Sequence, residues 1–154
     1  MIVEVEVAIK GSKGGIWDVV TDIENASETI NGIEKIEILD KPEDGLVGLK
    51  WRETRTFSGK TATEDMWITE SVEKAFYTTR AESHGSVYTS TIAISEQGAG
   101  NALSMTLECQ PQSFLAKLLS IPMGVMFKGA TRKALLQDLN DIKAAVERLE
   151  SAAS

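Results

Sequence analysis

The chain opens with strict alternation. Val3, Val5, Val7 and Ile9 alternate with Glu4, Glu6, Ala8 and Lys10, the period-two pattern of a half-buried strand. Gly11-Ser12-Lys13-Gly14-Gly15 breaks that pattern. Ile16, Trp17, Val19, Val20 and Ile23 then recur at helical spacing and predict a short helix over 14–22. Residues 25–31 predict a second helical turn, ended by Gly32, and residues 33–39 a second strand. Lys41-Pro42-Glu43-Asp44-Gly45 is a turn cluster. Strand-like runs follow near 47–57, 61–70, 75–83 and 86–95, with a last one near 101–109. Beyond Pro111, Leu135, Leu139, Ile142, Val146 and Leu149 step by four and three, which predicts an amphipathic helix of several turns. Phe114, Leu118, Leu119, Met123, Met126 and Phe127 extend its apolar face back toward residue 112, and Pro122 is expected to kink or interrupt it. One strand, two short helices, six strands and one long helix make an α+β domain. A seven-stranded antiparallel sheet covered on one face by a single helix must curl to bury that face.

The turns fix which residues face inward. Ser58-Gly59 reads as a two-residue hairpin turn, which places Arg55 opposite Ala62, Glu53 opposite Glu64, Trp51 opposite Met66 and Leu49 opposite Ile68. Directly opposed residues share a face. The other face then carries Arg52 against Asp65 and Lys50 against Trp67, a charge pair and a cation over a ring, and looks solvent-facing. The inner face holds Leu49, Trp51, Met66 and Ile68 but also Glu53, Arg55 and Glu64. Two opposed carboxylates on an apolar face conflict unless Arg55 neutralises them. Either these strand ends form a wet salt-bridge cluster at a rim, or they form a polar anchor or acid–base pair inside a cavity. His84-Gly85 is a second two-residue turn and pairs Ala81 with Tyr88, Thr79 with Ser90 and Tyr77 with Ile92. Leu103, Met105, Leu107 and Cys109 alternate inward on the last strand. So many inward hydroxyls (Tyr77, Thr79, Tyr88, Ser90) suit a cavity with a few orienting groups, although backbone bonds would satisfy them equally.

Composition narrows the class. A chain of 154 residues predicts one domain over 1–154. The formal charge of −7, from 16 basic and 23 acidic residues, argues against nucleic acid and against docking on an anionic membrane. One cysteine, Cys109, and one histidine, His84, exclude an intrachain disulfide and leave no zinc site of the usual type, so no metal is expected. His84 on a turn reads as an exposed histidine and Cys109 as a small apolar residue. The glycines of residues 11–15 depart from the phosphate-loop pattern, and no dinucleotide fingerprint occurs, so no cofactor is expected. The N-terminus lacks the basic start and apolar run of a signal peptide, and no stretch reaches the roughly 20 apolar residues of a membrane span. A cytoplasmic protein without stable membrane insertion is expected.

Ile16-Trp17-Asp18-Val19-Val20-Thr21-Asp22, Val47-Gly48 with Trp51-Arg52-Glu53-Thr54 beyond it, and the long final helix resemble the START-like superfamily. More narrowly, the chain is similar to the polyketide cyclase/dehydrase and lipid-transport proteins, also called the SRPBCC or helix-grip group, along essentially its whole length. The resemblance implies a helix-grip fold with an elongated cavity between a concave sheet and the C-terminal helix. Its wall would take the inner-face positions above together with Phe114, Leu118, Met123 and Phe127. Many relatives carry a tryptophan after the second short helix, where this chain has Thr29-Ile30. No universal catalytic motif transfers with the fold.

Three functions follow as expectations. The leading one is binding or transport of a hydrophobic small molecule: a lipid, an isoprenoid or a polyketide-like aromatic. The alternative is a cyclase or dehydratase in which Glu53 or Glu64 moves a proton and Tyr77 or Tyr88 polarises a carbonyl. The third is an interaction protein, such as a homodimer formed through Trp67 and Phe76 on the outer face.

Overall fold

The computed structural model describes residues 2–57, 59–83, 85–111 and 124–153. Its strands are β1 (Ile2–Ile9), β2 (Ile33–Asp40), β3 (Lys50–Phe57), β4 (Lys60–Val72), β5 (Phe76–Ser83), β6 (Ser86–Gln97) and β7 (Gly100–Pro111). Helix α1 (Lys13–Val20), a 3-10 turn (Ile23–Asn25) and α2 (Ala26–Thr29) lie between β1 and β2, and α3 (Gly124–Ala153) ends the chain. The sheet order is β1-β7-β6-β5-β4-β3-β2, antiparallel throughout. β1 and β2 are therefore opposite edges, and α1 and α2 carry the chain from one edge to the other. This is the helix-grip architecture expected from the sequence.

Both hairpin registers match the sequence arithmetic. Trp51, Glu53 and Arg55 oppose Met66, Glu64 and Ala62, and Tyr77, Thr79 and Ala81 oppose Ile92, Ser90 and Tyr88. Gly59 and Gly85 take positive φ of 79° and 76°, the backbone state that a tight hairpin turn demands and glycine supplies without strain. Pairing continues past β3, where the Ile68 N–H donates to the Leu49 carbonyl at 3.0 Å. On the outer face Arg52 and Asp65 form an ion pair at 2.7 Å, and Lys50 Nζ sits 5.6 Å from the Trp67 ring centre.

Alternation from sequence does not carry to the end of every strand. β4 shifts register between Ile68 and Glu70, so Thr69 is an extra residue. Such a bulge inverts the later parity. Ser71, not Glu70, then opposes the inward Tyr77, and Val72 is left exposed. β2 shifts twice, between Ile33 and Lys35 and between Ile38 and Asp40. Ile33, Ile36 and Ile38 thereby face Arg55, Glu53 and Trp51.

The core gathers Ile9, Ile16, Ile68, Leu103, Leu139 and Val146, each almost wholly buried. Burial of each such side chain contributes about 1.5–3 kcal/mol. Helix α3 packs on β1, β7 and α1. Three of its carboxylates accept from backbone N–H groups elsewhere: Asp141 from Asn31 (3.0 Å), Glu147 from Lys10 (2.8 Å) and Glu150 from Ser12 (3.2 Å). Gly11 and Ser12 form the turn that caps α1, with Ser12 Oγ accepting from the Gly15 N–H at 3.0 Å, and the helix already begins at Lys13. At Gly11 an added Cβ would stand 2.8 Å from Val146 Cγ1, so the close approach of α3 there requires glycine. Leu149, expected on the buried face, is 59% exposed. In those last turns the cover falls on Glu147 and Glu150, which meet Lys10 and Ser12, and Leu149 stays mostly open to solvent. The expected interruption at Pro122, the residues Phe114, Leu118, Leu119 and Met123, and His84 lie outside the described residues, as do the side chains of Met126 and Phe127.

Candidate functional site

Between the concave face of the sheet and α3 lies a cavity of about 480 Å³. Strand parity aims alternate side chains into it: Trp51, Glu53 and Arg55 from β3, Glu64 and Met66 from β4, Tyr77 and Thr79 from β5, Tyr88 and Ser90 from β6, and Met105 from β7. All ten of these expected wall residues come together there. Phe114, Leu118 and Met123 lie outside the described residues, as does the side chain of Phe127.

The geometry answers the conflict posed by Glu53 and Glu64. Glu53 is 7% exposed, so the reading of it as a wet rim residue fails. Its Oε1 accepts from Trp51 Nε1 at 3.3 Å and its Oε2 from Arg55 Nε at 2.6 Å. The same guanidinium reaches across to α3, where Nη2 and Nη1 approach the two Asp138 oxygens at 2.9 and 3.2 Å. Arg55 is thus sandwiched between two buried carboxylates, one from the sheet and one from the helix, in bidentate geometry with the second. Burial disfavours its charge, but Glu53 and Asp138 outweigh that and hold the guanidinium above its ordinary value. Burial pushes the Asp138 carboxyl up; Arg55 opposes the shift, and Glu53 and Asp141 reinforce it. Gly32 packs beside the pair, where an added Cβ would meet Arg55 Nη1 at 3.4 Å.

Glu64 differs from its neighbour. It is half-buried and makes no hydrogen bond or ion pair among the described residues. Its charge adds to burial and to Cys109 in raising the Tyr88 phenol. Tyr77 follows the backbone-bonded reading: its hydroxyl donates to the Val20 carbonyl at 2.9 Å, and its ring meets Trp17 edge-on at 6.2 Å. Burial first, then Glu53, holds that phenol well above its ordinary value. Tyr77 therefore ties β5 to α1, and its hydroxyl is committed.

Sequence reasoning missed the contributions of the helices. Val19, Val20 and Ile23 close one side, Thr29 and Ile30 add to it, and Thr131, Ala134, Leu135, Asp138 and Ile142 line the cavity from α3. Asp138 carried a readable signal. It falls three residues after Leu135 and four before Ile142, an acid on the apolar face of a helix opposite a sheet with an inward arginine. Among the described residues, no group of three or more potential ligands is arranged to hold a metal ion, and no helix is long and apolar enough to cross a membrane.

Comparison with solved structures finds the same fold at low identity. A START superfamily protein from Mycobacterium smegmatis superposes with a TM-score of 0.79 at 18% identity, covering 96% of this chain and 98% of that one. The protein TTHA0849 from Thermus thermophilus gives 0.79 at 14% identity, with both chains covered fully. The Zhui aromatase/cyclase from Streptomyces sp. R1128 gives 0.78 at 16% identity, covering 100% of this chain and 98% of that one. No curated protein matches the sequence. The family described as polyketide cyclase / dehydrase and lipid transport matches residues 1–147, and the chain belongs to that family.

Proposed function

We propose that this protein binds or carries a hydrophobic small molecule (lipid, isoprenoid or polyketide-like) in the cavity between the sheet and α3. The observation that carries the reading is the cavity itself: about 480 Å³, walled largely by aliphatic, aromatic and methionine side chains, with a few polar groups on its surface. That make-up is typical of small-molecule sites, and a space of this size left in a 154-residue protein forgoes packing that would otherwise stabilise it. Met66 and Met105 add adaptable surface.

The cyclase or dehydratase reading has less support in Glu53. Both of its oxygens are engaged, by Trp51 and by Arg55, so it is poorly placed to exchange a proton with a substrate. Glu64 keeps the geometry of an acid–base group, on the cavity wall and without a partner among the described residues. A fold shared with an aromatase/cyclase leaves this alternative standing but does not select it.

Native mass spectrometry of freshly purified protein, followed by solvent extraction, tests the leading reading. A stoichiometric apolar adduct is expected. An empty protein that also takes up none of a panel of apolar probes overturns it.

A further inference from the structure

Resting on the reading that the cavity holds a ligand, we infer that it selects by the charge of the ligand's polar end. It accepts apolar molecules that end in a hydrogen-bond donor without negative charge, a hydroxyl or an amine, and rejects those that end in a carboxylate or phosphate.

The wall carries three carboxylates, Glu53, Glu64 and Asp138, against one cation, Arg55, with neither lysine nor histidine among its described residues. A fatty-acid carboxylate would normally be met by such an arginine. Here the guanidinium is already committed, through Nε to Glu53 and through both terminal nitrogens to Asp138. Those contacts spend three of its five N–H donors, and the charge of the guanidinium is already balanced by two buried carboxylates, so an incoming anion would bring a third negative charge to one cation. It would also approach Glu64 directly, since Glu64 stands opposite Glu53 across the β3–β4 ladder. Glu64 is half-buried, so solvent screens its repulsion of a second negative charge only in part.

The same geometry supplies an attractive partner for a donor. Glu64 lines the cavity with no hydrogen bond or ion pair among the described residues. A hydroxyl or ammonium on the ligand would satisfy it, and Thr79 and Ser90 line the same region of the cavity. Burial is the main cause that raises Asp138, Tyr77 and Tyr88; Arg55 opposes it at Asp138, Glu53 adds to it at Asp138 and Tyr77, and Cys109 and then Glu64 add to it at Tyr88. Specificity here is a difference of affinities, set as much by repulsion of the wrong head group as by attraction of the right one.

The test uses three ligands of equal chain length, decan-1-ol, decylamine and decanoate, displacing the neutral fluorophore N-phenyl-1-naphthylamine from the full chain at pH 7. The alcohol and the amine are expected to displace it at concentrations at least about tenfold lower than decanoate. Glu64→Gln, of near-identical shape at a half-exposed position, is expected to narrow that gap severalfold, and Glu64→Ala serves the same comparison. Decanoate binding as tightly as decan-1-ol in the unmodified protein overturns the charge selectivity and leaves the hydrophobic site intact. An unchanged gap in folded Glu64 variants overturns the assignment to Glu64. Failure of the fluorophore and all three ligands to bind overturns the hydrophobic site itself, and the selectivity with it.

Discussion

The two halves of helix α3 do different work. From Leu139 to Glu150 the helix is mainly a clamp: Leu139, Ala145 and Val146 are buried, Ile142 is buried and also meets the cavity, and Glu147 and Glu150 accept backbone N–H groups of Lys10 and Ser12. From Thr131 to Asp138 it is a wall: Thr131, Ala134 and Leu135 face open space, and the tight polar contact is Asp138 with Arg55. One continuous helix thus has a half whose loss should cost stability and a half whose change should alter binding. The wall half can leave its apolar residues partly unpacked because the clamp half supplies the packing.

The largest effect should fall where the two halves meet. Arg55→Leu removes the cation between two buried carboxylates, and the expected loss is about 3–5 kcal/mol of folding stability, measured by urea denaturation. A loss below about 1 kcal/mol would mean that Glu53 and Asp138 find other partners or water, and the wall would have no rigid point.

The next effect separates the halves directly. Leu139→Ala in the clamp should cost about 2–5 kcal/mol, because a fully buried leucine leaves a cavity that its neighbours only partly fill. Leu135→Ala, one turn earlier and already beside open space, should cost about half as much or less, since part of its surface has no packing partner to lose. Equal losses would break the distinction between clamp and wall.

Much of this was legible in the chain. Two short turns, at Gly59 and Gly85, fix the register of four strands, and from that arithmetic most of the wall residues follow. The rest was hidden for physical reasons. Thr69 looks like any strand residue, and only the pairing of β4 with β5 makes it a bulge that turns Val72 outward. Leu149 has the right helical spacing, yet burial depends on what lies opposite, and it stays mostly open to solvent. Asp138 was visible as an acid on an apolar face, but its partner, Arg55, is 83 residues away, a distance only the fold closes.

Asp138 also gives the wall a pH signature. Its carboxyl is raised in the folded protein, mainly by burial, so the unfolded chain releases that proton first as pH climbs. Stability relative to Asp138→Asn should therefore fall as pH rises past the ordinary aspartate value of 3.8 and level off above the folded value. Unfolding free energies of both proteins between about pH 3.5 and about 7 check this, and parallel curves would remove the carboxyl from the account. The smallest effect belongs to the end of the clamp. Leu149→Ser should change stability by no more than about 0.5 kcal/mol, because the leucine is already exposed. A larger loss would place a covering partner over that turn.

If the space between sheet and helix takes up a ligand, the methionine methyls on its wall report it by NMR. Met66 and Met105 line the cavity from β4 and β7, whereas Trp67 lies on the opposite face of the sheet under Lys50. Titration with decan-1-ol should shift the Met66 and Met105 methyl resonances to a one-to-one endpoint and leave the Trp67 indole N–H in place. Shifts confined to Trp67 and the outer face, or none at either methionine, would contradict uptake there.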